Sequence, residues 1–334
     1  MTLEGALGPN SRLDDAESVR IAAPEAICVN RSGQLMLSSG RDVFRLPQWG
    51  YTPAHWANFE TPVSALAASE DGRLAVGLAD GQIVVLDEAG KPLSGWIPST
   101  PPRAVADCLF LPSDEIAIVD HGYGSDEPLL SLAPWDSKAR GQVIAVNQTG
   151  ATRVIATGLH CPMGIAAHIN GALIVTEFER ARVIETSGRT IQAGYPAYLG
   201  RIRKIGEGYA LACLARRDPL IEFLKTERQF VARMKANIDP RYWIGPRATP
   251  EFSPDFPIEL GATRLFGEVK PWAPSFSYGL VIETNPDLMP IGSAHSRANG
   301  VRHAISDVML WNGSLIAVSR ASNEILKLAR QDVP

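Results

Sequence analysis

The groups able to do acid/base chemistry in this chain are few, and they stand at the edges of apolar runs. Glu25, in "APEAICV", is hemmed by Pro24, Ala26 and Ile27. An acid in such surroundings is desolvated, which raises its pKa and suits it to general acid/base work, unless it serves only to cap backbone amides. Asp107, in "VADCLF", is either a second acid on the same side or a residue bonding a neighbouring segment. His160 precedes Pro162-Met163, where it either lines a rim or makes a structural hydrogen bond. "DHGYG" carries Asp120, His121 and Tyr123 on a turn with two glycines, which presents polar groups or simply meets the needs of the turn. His295 and His303 flank the "SRANG" loop, at a separation that is not a metal-ligand spacing. No G-x-S-x-G, H-E-x-x-H or G-x-x-x-x-G-K-[ST] phrase occurs, so serine-hydrolase, zincin and P-loop chemistry lack their motifs.

These groups need a scaffold, and composition says that one exists. The 334 residues are 45% hydrophobic and 20% charged, enough apolar material for a large core and too little charge for disorder. A net charge of -4 gives no reason to bind nucleic acid or an anionic membrane, which leaves a small molecule as the expected partner; oligomeric state is not assigned. The first residues lack a basic stretch followed by an apolar run, so a cytoplasmic location is expected. Cys28, Cys108, Cys161 and Cys213 form no C-x-x-C pair and read as buried thiols.

The scaffold is written as a repeat. "APEAICVNRSGQLMLSSGRDVFRL" from Ala23, "TPVSALAASEDGRLAVGLADGQIVVLDEAG" from Thr61 and "CPMGIAAHINGALIVTEFERARVIE" from Cys161 share one order: Pro, apolar strand, Gly turn, strand, turn, strand. A looser copy starts at Arg103 and is interrupted from Ser125 to Ala139. Another starts at Gly194, and a last one is split, with "SYGLVIET" expected as its outer strand and "HAISDVMLWNGSLIAVS" as its inner ones. Six β-meanders dispose of their edges best by radial packing, so the expected fold is all-β: a six-bladed β-propeller over 23-334, after an N-terminal segment 1-22. In a propeller the first residues of the inner strands meet over the axis, which is where Glu25 would stand.

One stretch does not repeat. After Asp218-Pro219, an N-cap and first helical turn, Leu220, Phe223, Leu224, Phe230, Val231 and Met234 fall on one side of an expected amphipathic helix. The Pro- and aromatic-rich run that follows (Tyr242, Trp243, Phe252, Phe256, Phe266, Trp272, Phe276) completes an expected lid over about 219-276, which either covers a ligand or only seals the propeller.

The run "GLHCPMGIAAHINGALIVTEFERARVI", followed by "AGYPAYLGRIRKIGEGYALACLARRDPL", resembles the strictosidine synthase family, with its "P-N-G…E-x-x-x-x-R" and "pGyPDN…R-r-n-P" phrases, in a match from Pro24 to about Leu328. The resemblance implies a six-bladed propeller similar to gluconolactonases and paraoxonases, many of which hold an axial calcium through oxygen ligands. Matched residue by residue, Glu25 keeps the first ligand, whereas Ala106, Met163 and Ala197 stand where Asn, Asn and Asp are expected. Calcium needs six to eight oxygens, so no metal and no other cofactor is expected. The family's acid/base carboxylate falls at Ser306, beside Asp307, so alkaloid formation is not carried over. Relatives place residues facing the substrate around the loop that His295 and His303 flank. The resulting expectation is a metal-independent small-molecule enzyme, a lyase or condensing enzyme or an ester or lactone hydrolase. Glu25 and Asp107 are its candidate catalytic residues, and His121, Tyr123, His160, Met163, Tyr198, His303 and Ser306 its candidate substrate contacts. A calcium-dependent lactonohydrolase and a non-catalytic binding propeller are the alternatives.

Overall fold

The computed structural model describes residues 1–249 and 277–329, together with the short strand pair Arg264–Leu265 and Glu268–Val269. Apart from that pair, its sheets form the six blades of a β-propeller. Blade 1 runs Ile27–Val29, Leu35–Ser39, Asp42–Leu46 and Ala54–Asn58. Blade 2 has three strands, Val63–Ala68, Leu74–Leu78 and Ile83–Leu86. Blade 3 runs Asp107–Phe110, Ile116–Asp120, Gly141–Val146 and Thr152–Leu159, and blade 4 runs Pro162–Ala167, Leu173–Glu177, Arg182–Glu185 and Thr190–Ala193. All pairings are antiparallel, as hairpin turns require.

Two assignments from sequence are corrected. Gly279–Thr284 and Pro290–Ser296 are the third and fourth strands of blade 5, behind Ala197–Ile205 and Gly208–Arg216, and not the outer strand of the last blade. That outer strand is Glu17–Arg20, from the N-terminal segment, which pairs with Glu324–Leu328 behind Ile305–Trp311 and Ser314–Ser319. Blade 6 therefore joins both chain ends. The sequence signal was weak because "ESVR" is short, is exposed except at Val19, and shows no apolar alternation.

The middle strands read as continuous apolar runs because blades are covered on both faces. "LAVGL" and "IAIVD" are buried at every position. The core is accordingly divided into layers between neighbouring blades. Cys28, Met36, Leu66 and Val76 fill blades 1 and 2; Val119, Val143, Ile165 and Val175 fill blades 3 and 4; Ile27, Leu35, Ile316 and Val318 close the ring between blades 6 and 1. The inner strands touch one another in a closed circle. Gly164 shows how tight that circle is: a Cβ there would lie 2.7 Å from the Arg201 Cα.

The expected single helix is two, Pro219–Thr226 and Arg228–Asn237, broken at Glu227. Asp218 caps the first by accepting from the Leu220 amide at 2.9 Å. Ile221 and Met234 pack on Trp135, Trp243 and Ile244, but Phe223 is 59% exposed, so it leaves the apolar side expected for it. The insertion in blade 3 supplies Leu129–Leu132 and Trp135, which bind this layer through a Ser131 hydroxyl bond to the Pro240 carbonyl at 2.8 Å.

Candidate functional site

Four inner strands carry a register shift at their axial end, at Val63/Ala65, Pro162/Gly164, Leu199/Ile202 and Ile305/Asp307. An extra residue in one strand turns its neighbours off the pleat and re-aims them. The bulged residues are Ser64, Met163, Gly200-Arg201 and Ser306, and all converge on the axis.

Arg201 occupies that centre with its side chain 4% exposed. Its guanidinium donates to the carbonyls of Glu25 at 3.0 Å, Ser306 at 2.9 Å and Ala106 at 2.8 Å, and to the Ser64 carbonyl. Beneath it Arg203 makes a bidentate pair with Asp107, at 2.6 and 2.9 Å, and reaches Asp307 at 3.1 Å. Asp107 also accepts from the Ile165 amide at 3.0 Å, and Asp307 from the Ile27 amide at 3.1 Å. Every blade thus contributes a group to one axial network. Burial opposes charge on Arg203, but Asp107 and Asp307 outweigh it and raise its pKa; burial raises that of Asp307.

Above this floor is a cavity of about 800 Å³, within the range of ligand pockets. Its walls are largely apolar, with Pro62, Val105, Leu130, Met163, Leu214 and Trp243. Glu25 stands in it between two guanidiniums, Arg201 at 3.4 Å and Arg320 at 3.1 Å, where the sequence suggested apolar neighbours alone. The Ser38 hydroxyl accepts from the Glu25 and Ala26 amides at 3.1 and 2.9 Å, which fixes the backbone carrying the carboxylate. Glu127, the other carboxylate among the described lining residues, is engaged by the Gly124 amide at 2.7 Å and by Arg140 at 3.2 Å.

His121 also lines the cavity. Its Nδ1 accepts from the Tyr123 amide at 3.1 Å, so the neutral ring carries its proton on Nε2. Burial lowers its pKa to about 4, against the opposing pull of Asp120, Glu127 and Glu25. The loop is fixed by Asp120, which accepts from the Gly122 amide at 2.9 Å and the Arg103 amide at 3.1 Å.

Of the residues chosen from sequence, Glu25, His121 and Met163 come together here. The others do not. Asp107 is fully buried in the floor with both oxygens bonded. Ser306 donates to the Glu25 carbonyl at 2.8 Å and is part of the floor. Tyr123 is buried and bonds Asp136 at 3.2 Å. Tyr198 packs on Phe178, ring centres 5.0 Å apart, in the layer under the insertion. The His160 ring faces Glu179 at 3.4 Å, away from the cavity. His303 is fully buried and bonds Ser277 at 2.7 Å. Of the lid, Trp243 and the segment 245–248 line the cavity, while Phe252, Phe256, Phe266, Trp272 and Phe276 lie outside the described residues. Sequence reasoning missed Arg201, Arg203 and Arg320, the residues that organise the site. "GRIRKI" alternates charge and apolar residues like any half-exposed strand, and only closure of the ring shows that its arginines point inward.

The same geometry tests the calcium expectation. Ala106, Met163 and Ala197 offer no side-chain oxygen, and the axial carbonyls are already bonded to Arg201. A hard dication needs those oxygens free and would face a fixed positive charge, so the residues present do not fit it.

No family model and no curated protein matches the chain. Among solved structures, it is similar to one described as a "putative gluconolactonase", at a TM-score of 0.56 and 11% identity over 94% of this chain and 92% of that one. A chain of a nidogen/laminin complex superposes less fully, with a TM-score of 0.45 at 11% identity over 57% of this chain and 72% of that one. At such identities the first likeness speaks for the fold: this chain has the six-bladed β-propeller architecture seen in a gluconolactonase-like structure.

Proposed function

We propose that this propeller is a metal-independent hydrolase of a small ester or lactone, bound in the axial cavity with Glu25 as its acid/base group. The observation that carries the reading is a mostly apolar cavity of about 800 Å³ in which Glu25 is, among the described lining residues, the carboxylate not spent on a backbone turn. The apolar walls would hold the body of the substrate. Glu25 would take a proton from an attacking water, while the Nε2 proton of His121 and the Arg320 guanidinium, both lining the cavity, would serve as donors to the oxygen that gains charge. A condensation is less well supported, because Ser306 and Asp307 of the last blade are both consumed in the floor. The test is a screen of lactones and aryl esters in EDTA, with amine-aldehyde pairs as a second panel, comparing wild type with Glu25→Gln. Turnover of an ester or lactone in chelator, lost in the variant, supports the proposal; turnover indifferent to the substitution removes Glu25 from the mechanism.

A further inference from the structure

We infer that Arg201 is a built-in cation that takes the place of a metal ion at the propeller axis, so that the hub is a cation site closed by the chain itself. The inference rests on the hub alone and holds whether or not the cavity above turns anything over.

Four backbone carbonyls, from Glu25 in blade 1, Ser64 in blade 2, Ala106 in blade 3 and Ser306 in blade 6, accept from Nη1 or Nη2 of the Arg201 guanidinium. Three carboxylate oxygens stand close by: Glu25 Oε1 at 3.4 Å from Nη1, and Asp107 Oδ1 and Asp307 Oδ2 at 3.6 and 3.9 Å from Nε. A shell of carbonyl and carboxylate oxygens drawn from separate chain segments is the donor set that a hard cation such as calcium takes. Packing does not explain why so many carbonyls turn inward. Each points to the axis from a bulge or from one or two residues before an inner strand, and unpaired carbonyls gathered in a buried hub would repel one another and lose their hydration. A cation resolves this, and the chain supplies one from blade 5, the one blade whose inner strand is bulged at an arginine.

The planar, five-donor guanidinium suits the task better than an ammonium would, because its donors fan out to several carbonyls at once. Nε is the exception: it is buried and makes no hydrogen bond, facing Asp107 and Asp307 as a charge only. Arg203 lies one layer below and saturates those two aspartates, so removal of Arg201 alone leaves a cavity lined by the four carbonyls and Glu25.

The experiment is thermal unfolding of wild type and Arg201→Ala in EDTA and in calcium chloride, with Arg201→Gln as the second variant should the alanine protein not fold. Wild-type melting should be unmoved by either addition. The variant should melt lower in EDTA and recover about 5 °C or more in millimolar calcium, since an ion bound only to the folded state stabilises it. Arg201→Lys, which keeps a cation, should show no calcium response. A wild-type protein that loses stability in EDTA overturns the inference, and so does a folded alanine or glutamine variant indifferent to calcium; if neither folds, the wild-type and lysine curves decide.

Discussion

Arg203 has two buried carboxylates as partners, and the consequence of losing it can be stated in energy. Replacement by Met would strip Asp107 and Asp307 of their hydrogen-bonded cation and leave only the Arg201 Nε, at 3.6 and 3.9 Å, as a counter-charge, and breaking a buried ion pair on one side costs about 3–5 kcal/mol. Urea denaturation of Arg203→Met should show a loss of that size, whereas a change below about 1 kcal/mol would mean the network is solvated. His295 makes a second prediction at this scale. The Ser293 hydroxyl donates to the Ala6 carbonyl at 2.8 Å, so it accepts from His295 Nε2 at 2.9 Å, and Nδ1 accepts from the Tyr278 hydroxyl at 3.0 Å. The ring is therefore neutral when folded, and burial lowers its pKa from 6.5 to about 4. Between those values the unfolded chain binds the extra proton, so stability falls as pH drops from 6.5 to 4, by on the order of 3 kcal/mol. The His295→Gln protein should show a flatter loss over that window; an unchanged slope would contradict the assignment. Glu25 was legible as a candidate because an acid at a blade start has few other uses. Its guanidinium partners were not, since they come from 176 positions away for Arg201 and from the far end of the chain for Arg320.

At the level of elements, the bulges decide which residues face the axis. Strand alternation places Asp307 opposite Ser306, yet the shift between Ile305 and Asp307 lets both serve the floor. Periodicity read from sequence counts in twos and passes over such a shift. Asp107 carries no such shift; it was legible as an acid near the axis, catalytic or bonding a neighbouring segment, and its partners, Arg203 of blade 5 and the Ile165 amide of blade 4, are distant in sequence and meet it only when the ring closes. The "E-x-x-x-x-R" phrase has a comparable explanation: Glu177 pairs with Arg182 and accepts from the His160 amide at 2.7 Å, so it clamps the turn of blade 4. Gly164 follows the bulge at Met163 and has the Arg201 Cα and Ile202 amide nitrogen within 2.7 Å of a would-be Cβ. Gly164→Ala should destabilise by about 2 kcal/mol through forced separation of blades 4 and 5. A melting temperature equal to wild type would show that the inner strands have slack.

For the whole molecule, the repeat was the readable part, because Gly turns and apolar strands recur in order, and the propeller follows from the need to hide sheet edges. How the ring closes was less readable. Glu17–Arg20 hydrogen-bonds into blade 6, Arg12 pairs with Glu283 at 3.1 Å, and Arg302 binds the carbonyls of Leu13, Asp14 and Ala16. Deletion of residues 1–20 should open that edge and lower the melting temperature by roughly 10 °C, with self-association through the exposed strand. A deletion that leaves the melting curve in place would mean the last blade closes without it.

The ring and its pocket turn on what balances the oxygens at the hub. The most direct measurement is the calcium content of the purified wild-type protein, by elemental analysis after gel filtration in buffer free of chelator. The account predicts far less than one equivalent per chain, with the Arg201 guanidinium holding the carbonyls; one calcium per chain, bound to the hub, would contradict it.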